Sequence, residues 1–157
     1  MVKETKVYVN NLNVDKITVV DYNGEAQDYS INDTVYVDDT NYQQEFIKQP
    51  AKYAYWSSIL QGVKRVEADQ ENQLDQLHAK LYNEAFTSLN QRGIKPTKDL
   101  IESQIEQSDE YFQAKQRVSE AQYSVGQVNT IVKALEQRAQ MLISYGADQR
   151  KDKTYGN

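Results

Sequence analysis

Between Asp109 and Tyr145 the chain keeps a strict seven-residue repeat. One register reads Tyr111, Val118, Val125, Val132 and Ala139; the other reads Ala114, Ala121, Val128, Leu135 and Leu142. Ten apolar positions in this order are what a helix needs to hold one face against a partner helix while supercoiling, and no strand pattern produces them. The run predicts a long helix that starts under a Ser108 cap and stops at Gly146. A matching partner lies upstream. From Pro50 to Gln91 the apolar positions Trp56, Leu60, Val63, Leu74, Leu77 and Leu81 recur helically, with Glu67 and Gln70 interrupting the stripe. Arg92-Gly93 is a stop signal, and Thr97 is placed to cap a connecting helix. Two helices of about 40 residues, each about 60 Å long at 1.5 Å per residue, are then expected to fold back as an antiparallel coiled-coil hairpin.

The stripes are wider than one seam requires. Val128, Ile131 and Met141 lie beside it on one helix, Ile59 and Val66 on the other. A lone hairpin would leave this flank in water, so the expectation is self-association, with Trp56, Val128, Ile131, Leu135 and Leu142 as the oligomer interface. Gly62 and Gly126 inside the helices are either tolerated, at about 1 kcal/mol each, or mark close approach of another backbone.

The first 37 residues use a different language. "VYV", "KITVVDY", "EAQDYSI" and "TVYV" alternate as strands do, and Asn23-Gly24 between two of them is a hairpin signal of the type I′ kind. A meander this short cannot bury a core alone, and must dock on the helices or on a neighbouring subunit or stay mobile. At Asp38 or Asp39 a cap is expected for a short helix to Lys48, with Pro50 ending it and opening the next. The fold class is therefore mainly α: a long-helix antiparallel hairpin with a small N-terminal β meander, oligomeric, divided into an extension at 1–37 and a helical domain at 38–157.

Charge separates the same two regions. Residues 1–49 carry 4 Lys/Arg against 9 Asp/Glu, and residues 50–157 carry 14 of each, so the net charge of −5 belongs to the N-terminal part. Basic patches on the remainder are compatible with nucleic acid, because phosphate contacts respond to local fields. Lys64 and Arg65, in "YAYWSSILQGVKRVE", are candidates for such contacts; the competing expectation is a solvated face paired with Glu67 or Asp69. Trp56 falls on the apolar stripe and reads as a packing or interface anchor. The chain has 12 tyrosines, most of them expected at helix ends and seams with hydroxyls reaching water, and a few available to stack on unpaired bases.

Catalytic signatures are missing. There is no GxxxxGK[ST] loop, no cysteine, one histidine, and carboxylates distributed as solvated helix faces, so neither an enzyme nor a cofactor nor a metal site is expected. The charged opening, Met-Val-Lys-Glu-Thr-Lys, does not resemble a signal peptide, and no apolar run approaches the roughly 20 residues of a membrane span.

At "TVYVDDTNYQQEFIKQPAKYAYWSSIL" the chain resembles the UvsY family of recombination mediators from tailed bacteriophages. Val35-Tyr36-Val37-Asp38, a Thr40-initiated helix, and Tyr53 three residues ahead of Trp56 stand at the family's spacing. "KPTKDLIESQIEQSDEYFQAKQRVSEAQYSVGQVNTIVKALEQRAQMLISYGADQRKD" is similar to the family's second half, with a threonine-capped connector, an Asp-Glu-Tyr entry and an Arg-bearing tail. The likeness runs over residues 34–152. It implies a non-enzymatic protein that binds single-stranded DNA as a ring-like homo-oligomer, hexameric or heptameric, in the cytoplasm of an infected bacterial host. It also implies a role in loading a RecA-type, UvsX-like recombinase onto strands covered by the phage single-strand-binding protein. The family's Lys-x-Arg contact falls, with a one-residue shift, on His78-Ala79-Lys80, so His78 and Lys80 join the nucleic-acid candidates; an unperturbed imidazole is mostly uncharged near neutral pH. The alternative expectation is a coiled-coil phage structural or assembly protein that binds no nucleic acid.

Overall fold

A computed structural model of the chain describes residues 6–9, 15–21 and 23–155, with backbone alone at 6–9 and at 155. The charged opening at 1–5 and Tyr22 of the second strand-like run lie outside the described residues. The elements are β1 (Lys6–Val9), β2 (Lys16–Val20), β3 (Ala26–Ser30), α1 (Ile31–Val35), a 3-10 turn (Asp39–Asn41), α2 (Tyr42–Gln91), α3 (Lys98–Glu106) and α4 (Asp109–Tyr155). The chain divides into two compact units, one of residues 1–63 with 124–157 and one of residues 64–123. That division crosses both long helices.

In the first unit the three strands form an antiparallel sheet in the order β1-β2-β3, with Val9 opposite Ile17 and Lys16 opposite Ser30. Period-two alternation turns Ile17 and Val19 of β2 inward. The β2–β3 turn differs from type I′. Asn23 does not have positive φ; only Gly24 does, at +86°. The Gly24 N–H donates to the Asp21 carbonyl, and the Asp21 carboxylate accepts from the N–H groups of Asn23 and Glu25. Asp21 thus folds the loop around its own side chain and asks for one left-handed residue, not two.

"TVYV" is not a strand. Ser30 caps α1, its Oγ accepting from Asp33 N–H, while Asp15 accepts from Asn32 N–H at 2.7 Å and from Ser30 Oγ at 2.8 Å. These local polar bonds outweigh the β propensity of Thr34 and Val35. Pro50 does not break the next helix either: α2 runs unbroken from Tyr42 to Gln91. Residues ahead of the proline are tied to α4, with Gln49 Nε2 donating to the Leu135 carbonyl at 2.7 Å and Arg138 bonding Glu45 and Gln49. That tertiary anchoring offsets the one helical hydrogen bond that proline forfeits.

The paired helix segments of this unit run antiparallel, since Tyr42 meets Gly146, Glu45 meets Arg138, and Trp56 shares a cluster with Val128. The core gathers Trp56, Ile59, Leu60 and Val63 of α2, Val128, Ile131, Val132 and Leu135 of α4, and Ile17 and Val19 of the sheet. Tyr29, Ile31, Val35 and Val125 close around it. The meander therefore covers the flank that was expected to require a second copy. Trp56, Val128, Ile131, Leu135 and Leu142 are all between 0 and 2 % exposed within one chain, which corrects their reading as an oligomer interface. Met141 alone of the flanking residues stays open, at 66 % exposure.

Gly146 does not stop α4. A Cβ there would lie 2.7 Å from the Tyr42 hydroxyl, so this glycine makes room for a ring and the helix continues to Tyr155.

In the second unit, α2 ends as expected around Gly93, with Ile94 N–H returning to the Leu89 carbonyl. Thr97 caps α3 and Ser108 caps α4, each Oγ accepting a backbone N–H three residues on. Ala85 and Leu89 of α2 pack on Ile101 and Ile105 of α3, with Leu81, Tyr82 and Tyr111 alongside. Ala114 and Ala121 are buried on the face of α4 that the repeat assigned to a seam.

Candidate nucleic-acid interface

Lys64 and Arg65 sit on the exposed side of α2, on the next two residues after the buried Val63. Because α2 turns 100° per residue, a buried Val63 places the following residue well off the core face. Neither Lys64 nor Arg65 forms an ion pair with Glu67, Asp69 or any other carboxylate among the described residues. Both heads are therefore available to an external anion.

His78 and Lys80 are placed differently. The His78 ring is half-buried, with Nε2 3.0 Å from the Glu102 carboxylate of α3, and it lies beside the rings of Tyr82 and Tyr111. This contact holds α3 against α2. Lys80 is exposed, with Glu84 at 3.9 Å one turn on. Of the four basic candidates, Lys64 and Arg65 form one adjacent open pair, whereas His78 and Lys80 each face a carboxylate. A further basic set, Arg92, Lys95 and Lys98, is exposed around the α2–α3 connector and is also without an ion pair among the described residues. Their spacing around the Gly93 stop is a signal available in the sequence.

In the first unit Arg138 and Lys52 are used internally. Arg138 is 2 % exposed and is held by the Glu45 carboxylate, the Gln49 side chain and the Tyr36 carbonyl. Beside it Lys52 donates to the Thr34 carbonyl, and its pKa is lowered by burial and by the charge of Arg138, with Glu45 acting in the opposite sense. Trp56 is packed edge-on to Tyr29 and Tyr55, whose hydroxyls bond each other, and burial together with that bond raises the Tyr55 pKa. Tyr53 reaches Glu136 at 3.1 Å. Among the described residues no group of three His, Cys, Asp or Glu side chains is gathered to hold a metal, and no helix is long and apolar enough to cross a membrane.

The first unit carries a second surface. Where the 3-10 turn and the start of α2 lie along the end of α4, an open groove of about 680 Å³ runs between Tyr42, Phe46, Ile143, Tyr145, Arg150 and Lys153. It depends on contacts between residues a hundred positions apart, which periodicity does not report.

No family model, no curated protein and no solved structure matches the chain.

Proposed function

We propose that the chain is a non-enzymatic single-stranded DNA-binding protein that acts as a recombination mediator, helping a RecA-type recombinase replace single-strand-binding protein in phage recombination and repair in the host cytoplasm. The observation that carries the reading is the open Lys64–Arg65 pair: two exposed cations on one helix, without carboxylate partners among the described residues, are available to phosphates. The resemblance over residues 34–152 supplies the choice of single strand and of mediator. Weak basic patches gain strength by repetition, so a ring of copies belongs to the proposal. Its interfaces must be built from side chains the single chain leaves open, such as Phe86, Leu100 and Phe112 of the second unit, in place of the covered Trp56 and Leu135.

The paired charge reversal Lys64→Glu, Arg65→Glu tests the reading. Single-strand affinity should fall, and the slope of log affinity against log salt should flatten by about 1.4, roughly 0.7 for each lost phosphate contact. Affinity and slope identical to wild type would remove these residues from the interface. Stimulation of recombinase filament formation on protein-covered strands separates a mediator from a coiled-coil assembly protein, which would give none.

A further inference from the structure

We infer that the groove between the start of α2 and the end of α4 is a base-stacking site for single-stranded nucleic acid; this deepens the single-strand reading above and rests on it. Its platform is aromatic. The absence of a side chain at Gly146 lets Tyr42 lie against the α4 backbone, and this brings the Tyr42 ring 4.9 Å from that of Tyr145 and 6.4 Å from that of Phe46, centroid to centroid. Tyr42 is half-buried and supports the other two rings. Phe46 is 52 % exposed and Tyr145 42 %, with the Tyr145 hydroxyl held by Gln149 Nε2 at 2.9 Å. Stacking of bases on ring faces is sequence-tolerant, because every base has a π face.

The charge of the groove matches the backbone of such a strand. Arg150 and Lys153 line it, three residues apart on the same helix face, and neither has an ion-pair partner among the described residues. Asp39 is the one carboxylate among the lining residues, so the lining is net positive although the N-terminal third of the chain is acidic. Asn41, Gln43 and Gln149 add amides that can bond base edges. Rings, amides and two open cations suit a polynucleotide with exposed bases better than an acidic amphipathic peptide, for which the amides would lie against apolar side chains.

The test uses the full chain and an oligo-dT carrying 5-iodouracil. Irradiation should cross-link peptides containing Phe46 or Tyr145. In anisotropy titrations Phe46→Ala with Tyr145→Ala should weaken oligo-dT binding about tenfold or more, and should leave the affinity for an abasic oligomer unchanged. Tyr145→Phe, which keeps the ring, should bind as wild type does, which separates stacking from misfolding. Arg150→Gln with Lys153→Gln should weaken both oligomers alike. Cross-links elsewhere, with both double variants binding as wild type does, would overturn the groove while leaving the single-strand reading intact. A wild-type chain that binds no strand would overturn both. Groove variants that change only self-association, or only the binding of a poly-glutamate peptide, would assign the groove to another occupant and overturn the inference.

Discussion

The two units solve the same problem, covering a helix pair, with different means. In the first unit a third layer does it: β2 lays Ile17 and Val19 over Trp56 and the α4 flank, and the buried side chains are large. A buried guanidinium, Arg138, ties residues 36, 45 and 49 to α4. In the second unit a nine-residue helix, α3, covers the pair with Ile101 and Ile105, and α4 presents alanines. Large apolar volume and a polar clamp should make the first unit costly to disturb at single sites, while the second depends on a few contacts and on its caps.

The largest effect is expected at the clamp. Arg138→Ala leaves the Glu45 carboxylate buried without its partner and should destabilise the chain by about 3–5 kcal/mol, read from urea unfolding. A loss below about 1 kcal/mol would mean that the guanidinium is not what holds residues 36–49 to α4. Next, Leu135→Ala should cost about 3–5 kcal/mol and Ile105→Ala about 2–3 kcal/mol, because the Leu135 site has neighbours on three layers and cannot collapse as freely. Equal losses would erase the contrast between the units. Thr97→Ala, removing the α3 cap, should cost about 1 kcal/mol, and hydrogen exchange should quicken in α3 and leave β2 unchanged.

The smallest effect is one of pH. The Asn32 N–H and the Ser30 hydroxyl hold the Asp15 carboxyl below its usual pKa of 3.8. A carboxylate whose folded value is depressed contributes fully above its unfolded value and loses that contribution as pH falls through the folded one. Protection of β2 and α1 should therefore decline below pH 3.8, more steeply than protection of α3, and Asp15→Asn should flatten the difference.

Much of the second unit and of α4 could be read from local patterns. The register Ala114, Ala121, Val128, Leu135, Leu142 is the most deeply buried line of α4, and the caps at Thr97 and Ser108 and the stop at Arg92-Gly93 act within a turn of their own positions. The first unit was harder because its decisive contacts are distant in sequence. The stripe width of Ile59, Val128 and Ile131 correctly asks for another cover, but a period says nothing about whether that cover is a second copy or strand β2 of the same chain. Pro50 and Gly146 carry local break signals that tertiary contacts with Leu135 and Tyr42 override. For the candidate interface, the exposure of Lys64 and Arg65 follows from the apolar stripe at Trp56, Leu60 and Val63, whereas the aromatic groove follows from the meeting of Tyr42 with Gly146 and has no local trace.

A competition titration bears most directly on single-strand binding: a labelled oligo-dT bound to the full chain, displaced by unlabelled single strand or by duplex of equal length, followed by fluorescence anisotropy. Single strand should displace the probe at a concentration at least tenfold lower than duplex does, as expected where unpaired bases contribute stacking energy. Equal displacement by duplex, or no binding of the probe at low salt, would contradict it.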